Sequence, residues 1–162
     1  MTELVADGTV PSLKLEEFLP YRLAVLSSMV SRVVAQVYAR HGLNLGEWLV
    51  LMTLGEFGPM TAKAIGARNR MHKTKVSRAV AALLARELIG RAPNEVDLRQ
   101  SFLSLTPLGK RFYEEYAPLV ADVGKRLEDA IPEADRAALD RCLIKLAVRS
   151  AQLMSERPVS GS

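Results

Sequence analysis

Apolar residues recur at three- and four-residue spacing through Leu15, Phe18, Leu19, Leu23, Leu26, Val30, Val33, Val34 and Val37. This is the period of one helix face, and it predicts a single amphipathic helix up to about Arg40. The dozen residues before it carry no clear period and are expected to be a mobile arm. Gly42 supplies a stop, and Asn44 is placed to cap a second helix through Trp48, Leu49, Leu51, Met52 and Leu54. Glycines and a proline at 55–59 end that helix.

Shorter elements follow. Residues 61–68 read as a short helix with Thr61 at or beside its N-cap. A polar turn, Asn69-Arg70-Met71-His72, separates it from a helix over about 73–87, whose stripe is Val76, Val80, Leu83 and Leu84. Lys73, Thr74, Ser77 and Arg78 fall on the opposite face or in its first turn, with Lys75 beside them. The period then shortens: 88–92 and 101–105 alternate as strands do, and the turn-rich start of the loop between them makes a β-hairpin. Thr106-Pro107 reads as an N-cap followed by proline at the first helical position. The helix it opens carries Leu108, Phe112, Tyr116, Leu119, Val123 and Leu127. A final helix from Ile131-Pro132 has the stripe Leu139, Cys142, Leu143, Leu146, Leu153 and Met154.

Composition narrows the class. The chain has 162 residues, 49% of them hydrophobic, which is enough for one domain with a real core. No apolar run has the length of a membrane span, and the acidic start lacks the basic region of a secretory signal. The single cysteine, Cys142, excludes an internal disulfide and fits a reducing compartment, so the expected location is the cytoplasm. Its place on an apolar stripe predicts a buried structural thiol rather than a redox sensor. No phosphate loop, paired-cysteine metal site or nucleophile-elbow motif occurs, and His41 and His72 are the only histidines. Neither an enzyme nor a metal or cofactor is expected.

Net charge is only +4, but residues 60–111 hold 11 Lys/Arg against 3 Asp/Glu. Such a concentration is the electrostatic footprint of a phosphate-backbone binder, or a plain solvated basic face. The order of elements favours the first: helix, helix, short helix, turn, basic helix, hairpin is a winged helix-turn-helix. A recognition helix must bury one face on its own domain and offer donors from the other to major-groove base edges. Lys73, Thr74, Lys75, Ser77 and Arg78 have that chemistry. Arg78 is the candidate for bidentate readout of guanine, and the hydroxyls suit close contacts to phosphate or base. The competing reading is a winged helix used only for protein–protein contact or dimerisation, which predicts a neutral or acidic recognition face.

The stretch 43–105 resembles the MarR family. The resemblance is carried by Met60-Thr61-Ala62-Lys63-Ala64-Ile65 and Lys73-Thr74-Lys75-Val76-Ser77-Arg78-Ala79-Val80. It continues in Asp97-Leu98-Arg99 and in Leu103-Ser104-Leu105-Thr106-Pro107-Leu108-Gly109. It implies one mainly α domain with a small β-hairpin wing. A DNA-binding lobe over about 43–106 is flanked by dimerisation helices over about 13–42 and 107–155. It implies that Arg99 reaches the minor groove or its phosphates and that Asp97 holds the wing in shape; Arg70 and His72 are further DNA-contact candidates. His72 departs from the acidic or small polar residue common there; a plain turn residue is the other reading. A homodimer on a pseudo-palindromic operator is implied, acting as a repressor released by a small aromatic or phenolic effector. Ser28, Arg32, His41, Trp48 and Met52 are the candidate effector contacts, with plain core as the alternative for Trp48 and Met52.

Overall fold

Pro20 decides where the first helix begins. The computed structural model describes residues 14–93 and 101–156, and in it α1 spans Leu19–Tyr38 with Pro20 in its first turn. Proline donates no hydrogen bond and its ring would clash with the carbonyl four residues back, so the helix cannot extend upstream. Residues 14–17 form a separate turn instead, with Glu17 N–H donating to Lys14 O at 3.1 Å. The periodic stripe therefore spans two elements, not one helix. A 3₁₀ turn, Ala39–His41, follows, and Gly42 ends it at a left-handed φ of 68°.

α2 (Leu45–Phe57) starts from a reciprocal cap. Asn44 Oδ1 accepts the Glu47 N–H at 3.0 Å, and Glu47 Oε2 accepts the Asn44 N–H at 3.1 Å. The chain continues through β1 (Met60–Thr61), α3 (Ala62–Asn69), α4 (Lys73–Ala85), β2 (Ile89–Pro93), β3 (Ser101–Leu105), α5 (Pro107–Glu128) and α6 (Glu133–Ser155). This is a winged helix-turn-helix with further helices before and after it along the chain. The sheet is antiparallel in the order β1-β3-β2, with Met60 opposite Leu103 and Ile89 opposite Leu105. The hairpin of β2 and β3 matches the alternation in the sequence. β1 does not announce itself, because two residues are too few to show a period.

The core of this lobe draws on every element around it. Val50 and Leu51 of α2, Ile65 of α3, Leu83 of α4 and Leu103 of β3 are all fully buried. Each such side chain contributes about 1.5–3 kcal/mol relative to exposure, so together they hold the two short helices and the wing as one body. Asn69 Nδ2 adds a polar tie, donating to Thr53 Oγ1 at 2.8 Å and to Ile65 O at 3.1 Å. The wing leads directly into α5, where Thr106 Oγ1 accepts the Gly109 N–H at 3.0 Å and donates to Glu87 O at 2.6 Å.

The chain divides into two compact units after Ala117, within α5. In the first, α1 leaves Leu19, Val25, Leu26, Met29 and Val33 exposed. In the second, α6 exposes Leu139, Leu143, Ile144, Val148, Leu153 and Met154. Asp129 pairs there with Lys125 at 2.9 Å and Arg136 at 3.7 Å, exposed contacts of small energetic weight. Cys142 is exposed, contrary to the expectation of burial, as are the apolar residues of α6 around it. No helix among the described residues is long and apolar enough to cross a membrane.

A Cβ at Gly109 would run into the Leu88 carbonyl oxygen, a backbone atom that cannot swing away. Gly109→Ala is therefore expected to cost about 1–3 kcal/mol, read as a lower urea midpoint. An unchanged midpoint would show that the approach of α5 to the Leu88 carbonyl is not close.

Candidate nucleic-acid interface

The helix-turn-helix is built from two caps and one left-handed residue. Thr61 Oγ1 accepts the Ala64 N–H at 3.2 Å and starts α3. Gly66 is buried where α3 meets α4; a Cβ there would stand 3.2 Å from Val76 Cγ2 and 3.3 Å from Met71 O. Arg70 then turns the chain at φ 51°, and Met71 N–H returns to Gly66 O at 2.9 Å. His72 caps α4 through Nδ1, which accepts the Thr74 N–H at 3.3 Å. Its local work is that of a turn residue tied to the backbone, and that bond requires Nδ1 to be unprotonated.

On α4, Val76, Ala79, Val80 and Leu83 are buried, while Lys73, Thr74, Lys75, Ser77 and Arg78 are exposed. At 100° per residue, Thr74 and Arg78 lie opposite the buried stripe, Lys73 and Ser77 on one flank, and Lys75 on the other. The Lys73 flank borders a cleft of about 710 Å³ between α3, α4 and the wing. Val76, Val80 and Leu103 are among its apolar lining, and Lys63, Arg70, Lys73 and Arg91 supply its cations. Lys63 and Arg91 belong to this surface but were not singled out from the sequence. Their signal was the basic stretch over 60–111, and only the fold shows which of its members share a face. Arg68 belongs to the same run yet lies over the Phe57 ring, 3.6 Å from its centroid. Among the described residues the ion pairs lie elsewhere, at Lys14–Glu17, in the Asp129 cluster and at Arg149–Glu156. The surface around α4 thus presents donors and positive charge, the opposite of a neutral recognition face. Arg99 and Asp97 lie outside the described residues.

The five candidate effector contacts divide. Trp48 is buried and stacks on Tyr38, with centroids 5.2 Å apart and planes at 14°; Met52 is half-buried one turn on. His41 lies against Tyr116 and Phe112 of α5, at 4.3 Å and 5.8 Å between centroids. Tyr116 Oη stands 3.2 Å from His41 Nδ1. Burial pushes both tyrosine hydroxyls, Tyr38 and Tyr116, above their ordinary range, and Glu115 adds to the rise at Tyr116. Both stay protonated near neutrality, so Tyr116 is able to donate to the imidazole. Ser28 and Arg32 are exposed one turn apart on α1 and make no hydrogen bond to the other three among the described residues. No group of three potential metal ligands occurs among the described residues.

Residues 41–100 match the family model of the MarR family. An uncharacterised HTH-type transcriptional regulator of Bacillus subtilis is 38% identical over 86 residues, 53% of this chain and 56% of that one. Another from Staphylococcus aureus strain Mu50 is 30% identical over 83 residues, 51% of this chain and 57% of that one. The chain thus spans little more than half the length of these relatives. Among solved structures, Bordetella bronchiseptica BpsR superposes with a TM-score of 0.76 at 20% identity, covering 84% of this chain and 97% of that one. Its structure concerns regulation of DNA binding by 6-hydroxynicotinic acid. A mutant of Escherichia coli MarR complexed with operator DNA gives 0.73 at 19% identity, covering 83% of this chain and 99% of that one. At such identities the superpositions speak for the fold.

Arg70 holds a conformation that glycine adopts without cost and arginine does not. Arg70→Gly is expected to stabilise the protein by about 0.5 kcal/mol, measured by thermal unfolding, because the strain relieved exceeds the chain entropy glycine adds. A lower Tm would mean that the arginine side chain supports the fold rather than the surface function.

Proposed function

We propose that this chain, whose residues 41–100 match the MarR family model, is a homodimeric, sequence-specific DNA-binding transcriptional regulator of that family. The observation that carries the reading is the phase of α4. Its apolar stripe is buried while Thr74, Arg78, Lys73, Lys75 and Ser77 face outward beside a cleft rimmed with further cations. In this reading α4 enters the major groove, and Arg78 makes a bidentate pair with guanine worth about 1–3 kcal/mol of discrimination. Lys73, Lys75, Arg70, Lys63 and Arg91 neutralise phosphates, His72 sits beside the backbone, and Arg99 reaches the minor groove from a wing shaped by Asp97.

The dimer is proposed on the exposed apolar residues of α1 and α6, each of which offers a stripe that a second copy is able to cover. Twofold symmetry then sets a pseudo-palindromic operator with half-sites roughly 34–36 Å apart. We take the regulator to act in the cytoplasm as a repressor, released when a small aromatic or phenolic effector binds one dimer geometry better than the other. Ser28, Arg32, His41, Trp48 and Met52 remain its proposed contacts. The B. bronchiseptica protein, whose DNA binding is regulated by 6-hydroxynicotinic acid, lends this part its support.

Fluorescence anisotropy on DNA from upstream of the chain's own gene, with an unrelated duplex as control, tests the reading. Selective binding that weakens with salt is expected. Arg78→Ala should relax selectivity by about 1–3 kcal/mol, while Arg99→Ala should weaken both duplexes and lower the salt slope by about one unit. The reverse pattern would mean that reading helix and wing are misassigned. No binding at low salt would favour a protein-interaction module. Sedimentation equilibrium should give twice the 17.8 kDa chain mass, and a monomer would remove the palindrome argument.

A further inference from the structure

The recognition helix is read at its N-terminal end, and its C-terminal end is held by contacts of its own. Arg86, the C-cap of α4, donates from Nη2 to the His41 carbonyl at 2.7 Å and from Nη1 to the Gly42 carbonyl at 3.2 Å. These carbonyls close the turn after α1, where helix-end oxygens carry partial negative charge and favour a guanidinium. Glu87 follows at φ 56°, a left-handed conformation that costs glutamate energy, and its carbonyl accepts from Thr106 Oγ1 at 2.6 Å. The Leu88 carbonyl accepts the Thr106 N–H at 3.1 Å and abuts Gly109. Residues 86–88 are therefore gripped between the 39–42 turn and the start of α5. The two grips are themselves joined, since the His41 ring lies on Tyr116 and Phe112 of α5. The contacts form a closed circuit within the first compact unit.

A change in the direction of a helix at one end is felt most at the other. From Arg86 to Thr74 is about 18 Å along the helix at 1.5 Å per residue, so a tilt of about 3° shifts Thr74 by about 1 Å. Hydrogen-bond pairs to base edges tolerate about half of that. Left-handed, non-glycine backbone at Glu87 marks a junction whose direction the surroundings impose.

We propose that Arg86 is a positioning residue for DNA reading: by tying the end of α4 to the His41–Gly42 turn, it sets the angle at which Thr74 and Arg78 meet the bases. This rests on the DNA-binding reading above. Both Nη atoms of Arg86 are engaged by backbone carbonyls, so its part is geometric and distinct from that of the phosphate-facing cations. The circuit also makes α5 a partner in that angle, through Tyr116 on one side and Thr106 on the other.

The test compares Arg86→Ala and Arg86→Lys in the full chain, each alone and combined with Arg78→Ala, on an own-promoter and an unrelated duplex. Both single variants should lower the preference for the own-promoter duplex about tenfold while leaving the salt slope unchanged. Lysine should not rescue, because one ammonium does not span two carbonyls in a fixed fork. In the Arg78→Ala background each change should reduce preference by less than it does alone, since one of the groups it misplaces is already gone. Tyr116→Phe removes the hydroxyl contact to His41 on the far side of the circuit without touching α4 and should give a smaller loss of preference, which covers the case of an Arg86 variant that fails to fold. Full rescue by lysine, with a lower salt slope in the alanine variant, would overturn the proposal in favour of a phosphate contact. Unchanged preference with a lower Tm would overturn it in favour of a plain brace. If the native protein selected neither duplex, the DNA-binding reading would fail and this inference with it; native selectivity unaltered by the variants would remove this inference alone.

Discussion

The burial of Leu51, Ile65, Leu83 and Leu103 in one core is the constraint on which the surface depends. These residues come from α2, α3, α4 and β3, and none retains exposure worth mentioning. Because Leu83 must stay inward with Val76, Ala79 and Val80, the rotation of α4 about its axis is settled by hydrophobic free energy. Several kcal/mol hold that phase, whereas turning a solvated lysine or arginine through water costs little. The cations thus stand where the core puts them. A single residue inserted between Thr74 and Val76 would rotate Thr74 by about 100° off the outer face, while Arg78 kept its place relative to the buried stripe.

Phase alone does not aim a helix; its ends must be held too. The entry is made by Arg70 in the left-handed region and by the His72 cap, and the exit by Arg86 and by Glu87, again left-handed. Glycine would serve more cheaply at both left-handed positions. At Arg70 the side chain reaches the same cleft as Lys63, Lys73 and Arg91, so local strain is tolerated where charge is useful. At the other end, the Leu88 carbonyl lies so close to Gly109 that α5 has only one way to start. Stability and presentation are two consequences of the same contacts.

Much of this was legible in the sequence, for reasons that residues make plain. Caps are local chemistry, so Asn44 and Thr61 marked the starts of α2 and α3 correctly. The stripe of α4 and the alternation of the hairpin are periodic signals long enough to read. Pro20 was visible, yet the apolar period ran straight through it and hid the break between the turn at 14–17 and α1. The circuit of His41, Phe112 and Tyr116 joins residues about 75 positions apart, and no spacing rule reaches that far. Cys142 misled because a stripe signals that a face is apolar without saying whether its own chain covers it. Lys63 and Arg91 lay within the basic run, but which of its members share a surface is decided by the fold.

The central claim is that α4 reads guanine-bearing edges in the major groove. Dimethyl sulfate footprinting on the own-promoter duplex addresses it directly, since the reagent marks guanine N7 in the major groove and adenine N3 in the minor groove. The account predicts two clusters of protected guanine N7 positions about 10 base pairs apart, lost in Arg78→Ala while adenine N3 protection beside them persists. Protection confined to adenine N3, or guanine protection indifferent to Arg78, would contradict it.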